Sequence, residues 1–594
     1  MLDQTTQNAA PVIMLIWGAF LISLTGLCHA QDLPNPWQTS DKPLIGPTPV
    51  PVMEQMFWVQ LPIDPATQIQ VQVPDGVSVL DRTRPGQRPF TRIYMRADSA
   101  MSDVQIAITA HGAEPITVSL TVKSYREDLE EQLLRMPDID GSVRKLGRSY
   151  FTDELIAVAR QNMEQYPELI ENLQAPGRFD TFSDDELWAF FPSWNVPRDC
   201  YGNWPCPKCG EEIYKVSGFY PWQRNNTHPF KARCPVCDEL FPSNDYLSDD
   251  FTSGDHPDDG WGYDAADGDR SKAAAWVAYY NHHQVWQSGG HIENLALRYL
   301  LLGDEEAAYR AGILLARLAY VYPGLNYRWQ QSRSGYLGRT GRALIDGNWE
   351  RGNLLVPALR AYDAIFEHLD NDTKLVVFLQ QKDPSIQSPA DVKALLDTAL
   401  VQVCGWDWIH RELTGGSQGS REQDMAEYIV CANMGEVSDR WLDELFTHAW
   451  NGGLNKGGFD DAVMVNALAR DGHTLVSGLG YALGYQSSKS DMAEIMSRVV
   501  SERWSGRANL FDERLYPKLR AEFDLWIDME IAGQFTSQYG DSGGGTTSRS
   551  SRGLPASNRA AYERAYRRWP DERIARAIYR AGPRPPRLFE PDVW

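Results

Sequence analysis

Apolar residues change their spacing partway along this chain, and the change splits it into two architectures. Between residues 53 and 125 they alternate in short runs: Phe57-Trp58-Val59-Gln60-Leu61, Ile69-Gln70-Val71-Gln72-Val73, Val104-Gln105-Ile106-Ala107-Ile108 and the stretch 116–122. Alternation bounded by Gly, Pro and Asp predicts half-buried strands, and several together predict a small β-sandwich over 31–125. From about 270 to 582 apolar residues instead recur every three or four positions, as in 273–286, 292–302, 305–320, 353–369, 441–450 and 521–531. That spacing predicts amphipathic helices. Asp304, ahead of Glu305-Glu306, is the expected N-cap of one of them. No fixed-period repeat is present, which argues against the common solenoids. A mainly α class follows, with either a large bundle or an α/α toroid over 263–582. Residues 126–199, with Glu, Leu and Arg at helical spacing, read as a helical linker region.

Composition narrows the function. Hydrophobic residues make up 43% and charged residues 23% of the chain, which excludes a disordered protein. The net charge of −22 repels phosphate backbones, so no nucleic-acid partner is expected. The 20 Trp suit either stacking on sugar rings or a core of large side chains. At the N-terminus, residues 12–28 form an uncharged apolar run followed by His29-Ala30-Gln31. This reads as a signal peptide over 1–30, although no Lys or Arg precedes it; a short membrane anchor is the alternative. A secreted or periplasmic protein with no membrane span in its mature chain is expected.

Cysteines mark a third unit. Cys206-Pro-Lys-Cys209 and Cys234-Pro-Val-Cys237 are two Cys-x-x-Cys knuckles, each followed by a turn residue, Gly210 or Asp238. This spacing lets four thiolates meet one tetrahedral ion, so 200–262 reads as a zinc-ribbon-like insertion; two disulfides are the alternative. Four thiolates leave no open coordination position, so such a zinc would be structural. Cys404 and Cys431 read as buried thiols or a disulfide.

No P-loop, dinucleotide fingerprint, Gly-x-Ser-x-Gly or His-Glu-x-x-His motif is present. The helical half does carry polar and aromatic clusters beside glycines. They include Gly341-Arg342 with Asn348-Trp349-Glu350, Ala361-Tyr362-Asp363-Ala364-Ile365, Arg421-Glu422-Gln423-Asp424 and Ala432-Asn433-Met434-Gly435. Asp471-Gly472-His473 with Ser477-Gly478 and Tyr481, and Tyr539-Gly540-Asp541-Ser542-Gly543, complete the set. In order and content these clusters resemble the heparinase II/III-type polysaccharide lyases and the related alginate lyases. The resemblance covers about 270–582. It implies an incomplete α/α toroid, and it makes 583–594 the start of a missing or truncated β-sandwich domain.

The resemblance implies β-elimination on a uronic-acid-containing polysaccharide, an anionic polymer. A base removes the C5 proton, and the 4-O substituent leaves. Asn433 would hydrogen-bond the uronate carboxylate and stabilise the developing charge. Tyr481 would protonate the leaving oxygen, with His473 as a base or neutraliser and Tyr485, one helical turn further, as its rival. Arg342, Arg421 and Lys456 would receive anionic groups, Trp349 would stack on a ring, and Glu350 belongs to the same substrate-binding set. Two other readings stay open. One is a glycoside hydrolase on the same fold, with Glu350, Asp424 and Asp541 as candidate carboxylates. The other is a non-catalytic carbohydrate-binding surface protein.

Overall fold

The computed structural model describes residues 40–48, 50–136, 139–191, 205–217, 221–224, 231–259, 276–325, 351–407, 420–448, 457–475, 479–507, 509–530, 535–537, 547–549 and 558–591. Among the described residues seven strands come first: β1 (Leu44–Gly46), β2 (Met56–Leu61), β3 (Ile69–Gln72), β4 (Val77–Arg82), β5 (Thr91–Ala97), β6 (Met101–Ala110) and β7 (Ile116–Val122). They form two antiparallel sheets, ordered β1-β2-β5-β4 and β3-β6-β7. One apolar core joins them, with Phe57, Val59 and Ile93 from the first sheet and Ile106, Ile108 and Val118 from the second.

The runs expected as strands appear as β2, β3, β6 and β7, whereas β4 and β5 carry no clear alternation. For β5 the reason is burial on both faces. Ile93 and Met95 enter the sandwich core, while Tyr94 packs outward with Trp58 and Phe251. The outer face is covered by residues 243–259. Asp259 accepts from Arg92 Nη1 and from Tyr94 Oη, both at 2.6 Å, and the Arg92 guanidinium lies 4.2 Å from the Trp58 ring. A strand buried on both sides has no polar face to alternate with. The segment after the cysteines is therefore built onto the sandwich.

The cysteine unit itself is small. A short helix, Glu212–Ser217, and three two-residue strands, β8 (Gln223–Arg224), β9 (Ala232–Arg233) and β10 (Leu240–Phe241), close around Ile213, Trp222, Cys206 and Cys234.

The remainder is mainly helical. Helices Tyr125–Leu133, Asp153–Gln165, Glu168–Gln174 and Asp184–Ala189 do not stand apart as a linker. Tyr125, Phe151 and Trp188 share one apolar core with Leu314, Leu396, Met425 and Trp526 from the later helices. Asp304 caps Glu305–Val321 as expected, accepting from Ala307 N at 3.0 Å. Helix Trp276–Leu302 crosses the segment before Val356–Ile365 so closely that a Cβ on Gly289 would lie 2.2 Å from Asn353 O. Only glycine permits that approach, and it brings Glu293, one turn on, to Arg360.

The most elaborate buried polar contact is at Asp363. Its carboxylate accepts from Ser149 N, Tyr150 N and Phe151 N at 2.9–3.0 Å and from Lys145 Nζ at 2.7 Å. Asn433 donates to Gly147 O at 3.0 Å, Leu146 N donates back to Asn433 O, and Lys145 N reaches Asp397. Irregular backbone is thereby held inside a helical body with its polar groups satisfied. Asp363→Asn removes the charge that Lys145 and three amides share. We expect it to lower the free energy of unfolding by about 2–3 kcal/mol, read by denaturant titration.

Candidate functional site

The loop pinned by Asp363 delivers Tyr150 to a cleft of about 440 Å³, a volume within the range of small-ligand sites. Arg360 from helix Val356–Ile365 and Gln423 and Glu427 from Ser420–Ala432 form one part of its wall. Asp491, Glu494 and Arg498 lie along and just past Leu479–Met496, and Arg564 and Arg567 come from Arg559–Arg568. Glu154, Leu155 and Val158 from Asp153–Gln165 add a further side, with Phe589, Glu590 and Pro591 beside them. Residues 583–591 thus run back over the helical body. Asn162 Nδ2 binds the carbonyls of Arg587, Leu588 and Glu590 at 2.8–3.0 Å, and Phe589 packs 5.1 Å from Phe151.

Four arginines and five carboxylates line this cleft, so it is nearly neutral in a chain of net charge −22. Most of the arginines are paired. Arg360 binds Glu427 at 2.6 Å and Glu293 at 2.5 Å, an arrangement that holds the guanidinium charged. Arg564 lies between Asp491 at 2.5 Å and Glu590 at 3.2 Å. Arg498 differs. Among the described residues no carboxylate lies within ion-pairing distance of it, and its guanidinium sits 4.6 Å from the Tyr150 ring centroid.

Two acidic groups of the cleft have raised proton affinity. Burial, reinforced by Glu427, pushes the Tyr150 phenol well above its ordinary value, so it is neutral and able to donate a proton. Its hydroxyl donates no hydrogen bond among the described residues. Burial between the helices raises the Asp491 carboxyl to about 6 against the opposing pull of Arg564. A neutral phenol, a half-buried guanidinium with no carboxylate partner among the described residues and a carboxyl poised near neutrality can together bind an anion and move a proton.

Of the candidate site residues named from sequence, those whose side chains are described do not line this cleft. Arg342, Trp349, Glu350, Lys456 and Asp541 lie outside the described residues, as does the side chain of Tyr481, whose backbone opens the helix Leu479–Met496. Asn433 ends the Ser420–Ala432 helix with φ of 43° and spends its amide on Gly147 O, so it holds the Tyr150 loop. His473 is half-buried in a turn whose Gly472, at φ +85°, would place a Cβ 2.3 Å from Glu522 N. Arg421 and Tyr485 are half-buried on the two helices that carry Glu427 and Asp491, and Asp424 lies beside Gly352. None of Asn433, His473, Arg421 or Tyr485 lines the cleft. The residues that do line it had a weak signal: Asp491, Glu494 and Arg498 fall on one helix face, as do Arg564 and Arg567, but the same spacing marks any solvated face.

The cysteine unit brings its four expected residues together. All four sulfurs lie within 4.8 Å of one another, and Cys206 Sγ and Cys237 Sγ are 3.8 Å apart. A tetrahedron with metal–sulfur bonds of about 2.3 Å has edges of about 3.8 Å. Gly210 and Asp238 take φ of 59° and 63°, turning each knuckle so that Lys208 N and Val236 N point at Cys206 Sγ and Cys234 Sγ. No disulfide joins these four, and none joins Cys404 to Cys431, so the disulfide alternatives do not hold. The donor set fits one tetrahedral metal ion.

No protein-family model matches the sequence, and no curated protein matches it. No described helix is long and apolar enough to cross a membrane.

Proposed function

We propose that this chain is an exported, secreted or periplasmic, polysaccharide lyase that cleaves a uronic-acid-containing polymer by β-elimination. The helical body would be an incomplete α/α toroid, and the four-cysteine unit would hold a structural zinc remote from the chemistry. The observation that carries the reading is Arg498 beside Tyr150: a cation with no carboxylate partner among the described residues, stacked on a phenol kept neutral, in one cleft. Arg498 would receive the uronate carboxylate, which acidifies the C5–H bond. Asp491, as a carboxylate, would take the C5 proton. The C–H electron pair becomes the C4–C5 double bond, the C4–O bond breaks, and Tyr150 gives its proton to the leaving oxygen. Water then returns a proton to Tyr150, and Asp491 releases its own. Asn433 enters through the loop it pins, and Tyr481 is the next candidate for the acid.

Arg498→Gln should raise KM for a uronate oligosaccharide about tenfold or more, because it removes the charge that meets the carboxylate. An unchanged KM removes Arg498 from the site.

The glycoside-hydrolase reading keeps one favourable observation, the raised Asp491 carboxyl, which could equally serve as a general acid. The pH profile separates the two. A base must be ionised, so elimination should rise as pH passes about 6. An acid must be protonated, so hydrolysis should fall over the same interval.

A further inference from the structure

The Asp491 carboxyl is not set by its own helix alone. Arg564 binds it at 2.5 Å, and the same guanidinium binds Glu590 at 3.2 Å. Glu590 belongs to the 583–591 segment, which is held down by the three Asn162 bonds, by Phe589 on Phe151, and by Arg584, which bridges Glu590 at 2.9 Å and Glu563 at 2.6 Å. One acid on a docked strap therefore shares a cation with the acid inside the cleft. We propose that Glu590 is a positioning residue that governs the proton on Asp491, by drawing Arg564 toward the strap and by presenting a second negative charge.

The groups facing Asp491 give the direction. Arg564 and Arg567 come from the Arg559–Arg568 helix and Glu427 from Ser420–Ala432. Glu590 and Arg587 come from the strap, with Glu494 and Arg498 from its own helix and the residues just after it. Among them Glu427 and Glu590 favour the protonated carboxyl, while Arg564 and Arg587 oppose it. Removing the Glu590 charge leaves Arg564 undivided on Asp491, so Asp491 should ionise at lower pH. A ligand anion that pulled Arg564 further away would do the reverse.

The catalytic consequence rests on the reading of Asp491 as the cleft's base; the proton itself is measured without turnover. Only protonated carboxyls react readily with a water-soluble carbodiimide. The full-length protein is labelled with carbodiimide and glycine ethyl ester across pH 4–8, and the peptide containing Asp491 is quantified by mass spectrometry. We expect a wild-type midpoint near 6. In Glu590→Gln the midpoint should move to lower pH by about half a unit or more. Asn162→Ala, which loosens the strap without changing charge, should move it the same way. An unchanged midpoint in Glu590→Gln, with the strap still protected from proteolysis, overturns the proposal, as does a shift to higher pH. Should the midpoint move as expected while no uronate polymer is cleaved, the relay stands and the lyase reading falls.

Discussion

Tyr150→Phe should lower turnover on a uronate polymer by about 10²–10⁴-fold, the contribution of a well-placed general acid, while leaving the fold intact. The substitution removes only the hydroxyl. The ring keeps its place, because the loop is held by Asp363 through the amides of Ser149, Tyr150 and Phe151, and by Asn433 through Gly147 O. Arg498 still has a ring to stack on. Binding should therefore change little and the loss should fall on kcat. Tyr481→Phe is the paired control. If Tyr481→Phe abolishes turnover and Tyr150→Phe does not, the acid is Tyr481 and the cleft has another use.

Removing the metal is expected to have the larger effect on structure. The purified protein should contain one zinc per chain. A strong chelator should unfold the cysteine unit, since metal binding in such units supplies on the order of 10–16 kcal/mol that is also folding energy. The apolar cluster left behind, built on Ile213, Trp222, Ala232 and Phe241, is too small to hold the chain alone. Because residues 243–259 continue onto the sandwich through Arg92, Tyr94 and Asp259, loosening should extend to the outer face of β2 and β5. Limited proteolysis before and after chelation checks this, with cuts expected in the cysteine unit first. Cys234→Ser should reproduce the pattern without chelator. A protein with no bound metal and unaltered cleavage would reject the zinc.

How much of this was legible in the sequence follows from which forces are local. The knuckles were legible because two residues between cysteines fix the geometry by themselves. Strands β2, β3, β6 and β7 and the helix capped by Asp304 were legible because period and capping are short-range. β5 was not, because its second buried face is made by a segment more than 150 residues later, at Phe251 and Asp259. The cleft was hidden for the same reason. Tyr150 lies in a stretch with no helical or strand period, and what makes it accessible to a ligand is Asp363, far along the chain. Asp363 belongs to a cluster singled out from sequence, and Asn433 to another, yet both act on the Tyr150 loop from behind. Motif position indicated the neighbourhood; only burial and pairing distinguish a residue that faces the cleft from one that holds its wall.

Elimination leaves a C4–C5 double bond in its product, and that bond distinguishes it from hydrolysis. Wild-type protein is incubated with a panel of uronate polymers, and ultraviolet absorbance from the C4–C5 double bond is followed together with the release of reducing ends. Absorbance should rise in step with reducing ends on at least one polymer and be lost in Tyr150→Phe. Reducing ends without absorbance would contradict elimination and make the protein a hydrolase.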